Sequence, residues 1–194
     1  MTAYNIIKVN ATKSTNDKVK MLIKSKKINN KDVISAKYQY KGKGQLARRW
    51  FSSYGNNLLC SLYLEFTKDF ISPIYALNFA TSLSVLKTVN FFSKEKCFIK
   101  WPNDILSENR KISGILIENN FKSSHLSYSI IGTGINVNQT RFNNLKHATS
   151  LKQISGKNID LDEVLDQLLK NYATYFKRIH DINYLSKEFN QNLY

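Results

Sequence analysis

The sequence predicts an α+β fold in which a mixed, mainly antiparallel sheet is backed by helices. Short runs of alternating or β-branched apolar residues outnumber the helical patterns, and short turns join several of them. A long stretch from Leu161 to Ile179 places apolar residues at 3.6-residue spacing, which is typical of a helix packed on a sheet. Together these observations favour helices and strands that share one core.

The first half of the chain predicts strands and helices in alternation. Ser14 or Thr15 is the expected N-cap of the first helix. Ser72 is the expected N-cap, and Pro73 the first helical residue, of a largely apolar helix that reaches about Phe92 and should be buried. The predicted strands are Ile6–Val9, Val33–Gln39 and Asn57–Phe66.

The second half continues the sheet and ends in helices. Gly132-Thr-Gly134 is expected to break the strand that contains it, and Asp160 is expected to cap the strongest helix, which follows a loop over residues 138–158. A short helix over Tyr184–Asn190 is predicted to be the last element. The predicted strands are Cys97–Lys100, Lys111–Glu118 and Leu126–Val137.

Length and composition limit the class of protein. The 194 residues, with no repeat or linker, predict one domain over residues 1–194. No apolar run is long enough to span a membrane and no signal peptide is evident, so we expect a cytoplasmic protein with no membrane partner. Cys60 and Cys97 lack CxxC spacing and should be buried reduced thiols, and the scattered histidines predict no metal site.

The net charge of +15 raises the question of an anionic partner. The excess is mostly lysine and comes with abundant Asn, Ile and Tyr, a pattern that biased base composition in the coding DNA also produces. No run of five or more like charges and no nucleic-acid-binding signature is present. We therefore expect no specific nucleic-acid partner, although a basic binding module without catalysis stays an alternative.

Scarce residue types surround two lysines in the middle of the chain. Pro102 requires a turn after the strand that ends at Lys100, so that Lys100 and Asp104 meet at one edge. Lys111 begins the next strand, and Gly114 within it indicates a close approach of the backbone, as at a ligand. An ordinary hairpin with solvated charges is the alternative.

Three further segments carry residues suited to binding. Gly42, Lys43 and Gly44 lie in a loop where glycine N–H groups and a lysine favour an anion, although a solvated hairpin has the same composition. Ser14-Thr15-Asn16 offers small polar side chains, which a helix cap alone would explain. The segment Gly132–Asn136 combines two glycines with an amide that can donate and accept.

In this order, the segments resemble the biotin protein ligase family. That family has the motifs S-T-N, Q-x-x-G-R-G-R-x-G-R-x-W, K-W-P-N-D, R-K-x-x-G-I-L-x-E and G-x-G-I-N. The matching segments here are Ser14–Asn16, Gln39–Trp50, Lys100–Asp104, Arg110–Glu118 and Gly132–Asn136. The resemblance implies a fold related to class II aminoacyl-tRNA synthetases, and Gln45 stands where the family has an arginine, which removes a positive charge.

The resemblance also implies a role for each matching position. Lys111, Lys100 and Asp104 would be catalytic, with Lys111 on the biotin carboxylate. The implied biotin-binding residues are Ser14, Thr15, Asn16, Gln39, Lys43, Gly44, Gln45, Lys111 and Gly114. The implied nucleotide-binding residues are Gly42, Lys43, Gln45, Gly132, Gly134 and Asn136.

The activity implied is ATP-dependent formation of biotinyl-5′-adenylate, with Mg²⁺, and transfer of biotin to a lysine of a biotin carboxyl carrier protein by a monomer or homodimer. The family's N-terminal winged helix and C-terminal SH3-like barrel are not expected in these 194 residues. A lipoate or octanoate ligase on the same fold is the nearest alternative. A domain that binds biotin and turns over slowly is another.

Overall fold

The computed structural model of the chain describes residues 4–70, 72–123, 125–143 and 145–194. The strands are β1 (Asn5–Thr12), β2 (Asp32–Gln39), β3 (Asn57–Glu65), β4 (Cys97–Lys100), β5 (Asp104–Ser107), β6 (Arg110–Lys122) and β7 (His125–Asn136). The helices are α1 (Thr15–Lys24), α2 (Ile74–Phe92), α3 (Leu151–Ser155), α4 (Leu161–Phe176) and α5 (Ile182–Gln191).

The strands form a seven-stranded sheet in the order β1-β2-β3-β7-β6-β5-β4. β1 and β2 are parallel, because α1 connects them as a crossover. β2 with β3, β4 with β5, and β5 with β6 are antiparallel. The predicted mixed sheet backed by helices is therefore confirmed, although β5 was not among the predicted strands.

Contacts along the chain fall into two compact units. The first holds the described residues up to 70 together with Leu116–Gly134, and the second holds Ser72–Ile115 and Ile135–Tyr194. In the first unit, α1 buries its apolar side against the strands, and the shared core consists of Val19, Ile34, Tyr63 and Ile130. This packing fixes the N-terminal end of α1, where the polar residues of the first unit lie.

In the second unit, α2 is buried on most of its surface, as its apolar composition predicts. Two of its buried hydroxyl groups bond to the backbone of the helix: Ser84 Oγ donates to Ala80 O at 2.6 Å, and Thr88 Oγ1 donates to Ser84 O at 2.8 Å. Asn171 of α4 donates to Thr88 Oγ1 at 2.9 Å. Helix α4 begins after Asp160, whose carboxylate accepts from Asp162 N at 2.7 Å, which confirms the predicted cap.

The predicted start of α2 was wrong by one residue. Pro73, with φ −61° and ψ 142°, is the N-cap, and helical geometry begins at Ile74. Ser72 does not cap the helix, because its hydroxyl donates to Ile179 O at 3.3 Å and lies 2.8 Å from His180 Nδ1.

Two predictions about the segment after Ser124 were also wrong. β7 runs unbroken through Gly132 and Gly134, so these glycines serve close packing and not a strand break. The predicted loop over residues 138–158 contains α3, where Ser150 Oγ accepts from Gln153 N at 3.3 Å and Gly156, with φ +79°, ends the helix. A five-residue helix is too short to leave an apolar period in the sequence.

The carboxylate of Glu188 in α5 connects this helix to α2 and α4. Glu188 Oε1 accepts from Tyr175 Oη at 2.7 Å and lies 3.1 Å from Lys87 Nζ. Burial alone raises the pKa of Glu188, but hydrogen bonds from Tyr184, Tyr175 and Lys87 outweigh it, so this pKa is lower than usual. The ionised carboxylate therefore stabilises the packing of α5 on its neighbours.

We expect Glu188→Gln to lower the free energy of unfolding at pH 7 by about 1–3 kcal/mol, because charged hydrogen bonds are replaced by weaker neutral ones. A carboxylate whose pKa is lower in the folded state stabilises the fold above the unfolded pKa, and this contribution is lost as pH falls through the folded pKa. The difference between wild type and variant should therefore shrink below pH about 4.3. Urea denaturation at several pH values measures it.

Asp166→Asn, at an exposed position of α4, provides the matched control and should change the free energy of unfolding by less than about 0.5 kcal/mol. A Glu188→Gln effect that is equally large at pH 7 and at low pH would contradict the role of the charge.

Candidate functional site

The first group of predicted site residues surrounds the N-terminal end of α1. Ser14, Thr15 and Asn16 are buried, with exposed fractions of 3%, 4% and 2%. The Thr15 backbone N–H donates to Gln39 Oε1 at 2.6 Å, and the Thr15 hydroxyl lies 3.0 Å from the same oxygen. Ser14 is the N-cap residue, yet its side chain makes no capping hydrogen bond. The structure therefore joins the Ser-Thr-Asn segment to Gln39.

Three residues outside the predicted set hold Asn16 in place. Ser61 Oγ of β3 lies 2.5 Å from Asn16 Oδ1, and Asn16 Nδ2 donates to Glu118 Oε2 of β6 at 2.8 Å. Lys20 Nζ of α1 lies 2.6 Å from Glu118 Oε1. Ser61 is fully buried, and a serine inside the apolar run of β3 was the sequence signal that could have revealed it. Glu118 belongs to the matched motif, whereas Lys20 left no signal.

The glycine loop is ordered by its own backbone hydrogen bonds. Trp50 N donates to Gly42 O at 3.0 Å and Gly44 N donates to Arg48 O at 2.8 Å, so the loop folds back on itself. Gln45 begins a short 3₁₀ turn, Gln45–Ala47. Lys43 Nζ lies 2.6 Å from Asp17 Oδ1 in the first turn of α1. This ion pair, which the sequence did not predict, ties the loop to the helix.

An open pocket of about 630 Å³ lies against this loop. Its lining includes the predicted residues Gly42, Lys43, Gly44 and Gln45. Additional cationic side chains and one carboxylate face the same space: Lys13, Lys41, Arg48, Arg49 and Glu118. The excess of positive charge makes the pocket suited to an anionic ligand.

Gly132 and Gly134 of β7 are placed where no side chain fits. A Cβ at Gly132 would approach Asn16 to 3.0 Å at Cγ. A Cβ at Gly134 would lie 2.6 Å from Trp50 Cε2. Both glycines therefore let β7 pass close to the side chains of Asn16 and Trp50.

The second group lies in the β4–β5–β6 part of the second unit. Lys100 and Asp104 face each other in the β4–β5 register, which confirms the predicted common edge, and the Trp101-Pro102 peptide bond between them is cis. Asp104 also pairs with Gly114 across β5 and β6. Its carboxylate Oδ1 lies 2.6 Å from Lys111 Nζ. The structure thus brings Asp104 to Lys111 as an ion pair, a contact that sequence order alone did not reveal.

Asn136 is directed at the backbone of its own unit. Its Nδ2 donates to Thr149 O at 2.9 Å, and Thr149 N in turn donates to Lys111 O at 2.9 Å. Lys111 N donates to His147 O at 2.7 Å. The segment around Thr149 therefore fixes the backbone of Lys111 and the amide of Asn136 together.

The thiols take no part in either group. Cys60 and Cys97 are free and buried, as predicted. Burial raises the pKa of Cys60 to about 12 and also raises the pKa of Cys97, so both thiols stay protonated at neutral pH. Within the described ranges, no cluster of three or more His, Cys, Asp or Glu side chains could hold a metal ion. No helix in the same ranges has the length and apolarity needed to cross a bilayer.

The fold matches that of solved biotin protein ligases. A structure of biotin protein ligase from Aquifex aeolicus in complex with biotin and ATP has a TM-score of 0.84 and 28% identity, covering 97% of this chain and 78% of that one. The ligase from Leishmania major in complex with biotinyl-5-AMP shares the fold with a TM-score of 0.81, at 20% identity over 98% of this chain and 81% of that one.

Residues 9–136 match the Biotin/lipoate A/B protein ligase family, and the chain belongs to this family. It is 35% identical over 152 residues to the bifunctional ligase/repressor BirA of Bacillus spizizenii, covering 74% of this chain and 46% of that protein. It is 26% identical over 141 residues to the biotin–[acetyl-CoA-carboxylase] ligase of Mycobacterium tuberculosis, covering 71% of this chain and 51% of that protein. The chain spans about half the length of these curated relatives. The predicted resemblance and fold class are confirmed.

We expect Gly134→Ala to lower the free energy of unfolding by about 1–3 kcal/mol, because the added methyl group overlaps the Trp50 ring and one of them must move. Gly44→Ala is the matched control, since a Cβ there meets nothing closer than 3.5 Å at a φ of −121°. It should change the free energy of unfolding by less than about 0.5 kcal/mol. Thermal unfolding of both variants tests this, and equal losses would contradict it.

Proposed function

We propose that this chain is an ATP-dependent biotin protein ligase. It activates biotin as biotinyl-5′-adenylate and transfers the biotinyl group to a lysine of a biotin carboxyl carrier protein, in the cytoplasm. The observation that carries the proposal is the joined cluster of Thr15, Asn16 and Gln39 beside a cationic glycine-loop pocket. Membership of the family supports it.

The biotin end of the site is assigned to the cluster at α1. The ureido ring of biotin has N–H donors and a carbonyl acceptor, so a matching site needs both kinds of group. Because Gln39 Oε1 already accepts from the Thr15 N–H, the Gln39 amide is oriented with its NH₂ free to turn toward a ligand acceptor. Ser14, whose side chain makes no capping bond, is the other polar group assigned to the ring.

Adenylation must overcome the repulsion between the biotin carboxylate and the α-phosphate of ATP. The carboxylate oxygen attacks phosphorus, and pyrophosphate leaves. Lys111 and Lys43 are assigned to this negative charge, and Lys100 completes the set of cations. In this structure, Lys111 pairs with Asp104 and Lys43 with Asp17. Each lysine is thereby held in one orientation until a ligand oxygen replaces or joins its carboxylate.

ATP enters as its magnesium complex. Mg²⁺ prefers phosphate oxygens and water with few protein ligands, so the metal is assigned to the triphosphate. The glycine N–H groups at positions 42 and 44, the strand around Gly132 and Gly134, and the amide of Asn136 are the residues proposed to border the nucleotide.

The transfer step needs a neutral lysine amine on the carrier. Deprotonating a lysine with pKa about 10.4 at pH 7 costs about 4.6 kcal/mol. Asp104 is proposed to position this amine and to take the proton that the ammonium group loses. The neutral nitrogen then attacks the carbonyl carbon of biotinyl-5′-adenylate, AMP leaves as the amide bond forms, and the second proton lost from nitrogen passes to the AMP phosphate. Its ion pair with Lys111 favours this role, because the carboxylate is held at the group assigned to the acyl phosphate.

A lipoate or octanoate ligase is the second candidate, since the family includes both activities. The cluster at α1 favours biotin, because the Gln39 NH₂ group and the Ser14 hydroxyl are polar groups that an aliphatic chain would leave unsatisfied. Pyrophosphate release with biotin and Mg-ATP, and none with lipoate, would support the proposal. The reverse result would overturn it.

We expect Lys111→Ala to lower the rate of biotinyl-adenylate formation by about 10²–10³-fold, as removal of one donor from a developing negative charge commonly does. Labelled biotin, Mg-ATP and a carrier domain allow the adenylate and the biotinylated lysine to be followed together. Lys122→Ala, an exposed lysine on the same strand β6, is the matched control and should retain the wild-type rate. Equal rates for the two variants would exclude the role given to Lys111.

We expect Gln45→Arg to slow release of the adenylate by about tenfold, because a guanidinium adds a charged hydrogen bond to the phosphate at a position where the family has arginine. Gln45→Met, which has similar volume and no charge, controls for shape. Release of labelled adenylate after dilution measures the effect. A Gln45→Arg rate no slower than that of Gln45→Met would show that the loop does not contact the phosphate.

A further inference from the structure

The orientation of the Asn16 amide is fixed by its surroundings. Its Nδ2 lies 2.8 Å from Glu118 Oε2 and 3.3 Å from the backbone oxygen of Leu116. A carboxylate and a carbonyl can only accept, so the group facing them must be the NH₂. The Asn16 oxygen is therefore turned toward Ser61, and it can only accept from the Ser61 hydroxyl at 2.5 Å.

This orientation sets the direction of the remaining hydroxyl protons. Ser61 Oγ lies 2.7 Å from Thr15 Oγ1, which lies 3.0 Å from Gln39 Oε1. The Ser61 hydroxyl donates its one hydrogen bond to Asn16. The short contact between the two hydroxyls therefore requires Thr15 to donate to Ser61. Gln39 Oε1 then receives no hydrogen bond from this hydroxyl and keeps the one from the Thr15 backbone N–H at 2.6 Å. The Thr15 oxygen is then left with lone pairs and no proton to offer a ligand.

We propose that Glu118 is a positioning residue that makes the Thr15 hydroxyl a hydrogen-bond acceptor for an N–H of the ligand. The effect passes from Glu118 to Asn16, from Asn16 to Ser61 and from Ser61 to Thr15. The ligand chemistry selected is a cyclic urea or a similar group that presents N–H donors. This inference rests on the proposed function, whose biotin ureido ring has such donors.

Lys20 explains why a carboxylate is needed at position 118. Lys20 Nζ lies 2.6 Å from Glu118 Oε1, while Asn16 uses Oε2. A carboxylate has an acceptor for each of these donors. A glutamine has only one oxygen, which Lys20 and Asn16 would compete for. Because a charged donor forms the stronger hydrogen bond, Lys20 takes that oxygen and leaves an NH₂ group against Asn16.

Glu118→Gln should consequently turn the Asn16 amide around. The hydrogen bond between Ser61 and Thr15 then reverses, so that Ser61 donates and Thr15 accepts. The Thr15 hydroxyl then donates to Gln39 and no longer matches a ligand N–H. We expect KM for biotin to rise about tenfold, with kcat changed less than about twofold, because one buried hydrogen bond to the ligand is lost. Pyrophosphate release with saturating Mg-ATP measures both constants.

Removal of Lys20 provides the decisive variant. In Lys20→Met with Glu118→Gln, the glutamine oxygen is free for Asn16, so KM for biotin should return to within about threefold of the wild-type value. Lys20→Met alone loses a partly buried ion pair and should change KM by roughly twofold. Lys24→Met with Glu118→Gln removes a charge from the exposed side of the same helix and should not recover the KM.

Two results would overturn the inference. The first is a Glu118→Gln variant whose KM for biotin stays within about twofold of wild type. The second is that Lys20→Met and Lys24→Met, each combined with Glu118→Gln, restore the KM equally. A purely structural or net-charge role predicts the second result, because the two lysine variants then behave alike. Thermal unfolding of each variant shows whether lost stability accounts for lost binding.

The proposed function can fail separately from the inference. If the wild-type chain releases no pyrophosphate with biotin, the ligase proposal fails, and the hydrogen-bond direction is then measured without a substrate. The Asn16 side-chain NH₂ signals, assigned by their absence in Asn16→Asp, should shift in ¹H–¹⁵N spectra of Glu118→Gln and return in the double variant with Lys20→Met. Unchanged signals in Glu118→Gln would overturn the inference regardless of activity.

Discussion

The hydrogen bonds of the buried Asn16 amide are the interactions on which the polar cluster of the first unit depends. A buried side chain with both a donor and an acceptor must find partners for each, since an unsatisfied group costs about 1–3 kcal/mol. Asn16 finds them on β3 and β6, through Ser61 and Glu118, while Gly132 leaves room for it on β7. These strands are therefore held in one arrangement around the start of α1.

In the second unit, the contacts of a lysine keep its positive charge near the candidate site and its side chain ordered. This lysine, Lys111, is tied through its backbone to the segment around Thr149 and through its side chain to Asp104. In the first unit, Lys43 is tied in the same way to Asp17. Long side chains lose rotamer entropy when they bind a ligand, and an ion pair formed beforehand reduces that loss. The cationic residues are thus ordered in advance of the anion they are proposed to bind.

Periodicity and end signals predicted most of the elements, because burial on one side leaves a repeating trace in the sequence. The strands over Val33–Gln39 and Asn57–Phe66 and the helix capped by Asp160 are examples. The errors came where a competing contact decided the outcome. Ser72 was drawn away from the cap by Ile179 and His180, and the glycines at 132 and 134 serve side-chain packing instead of breaking a strand.

The sequence by itself determined the class of fold and the family, and it pointed to the segments that carry the candidate site, since these rest on composition, local period and the order of short motifs. Only the tertiary structure decided which partner each polar group has. Ser61 and Lys20 lie far along the chain from Glu118, and no local pattern connects them. The pairing of Asp104 with Lys111, the tie between Lys43 and Asp17, and the direction of the hydrogen bonds around Asn16 exist only when distant strands meet. A hydrogen bond depends on distances within about 3 Å, and the fold alone sets those distances.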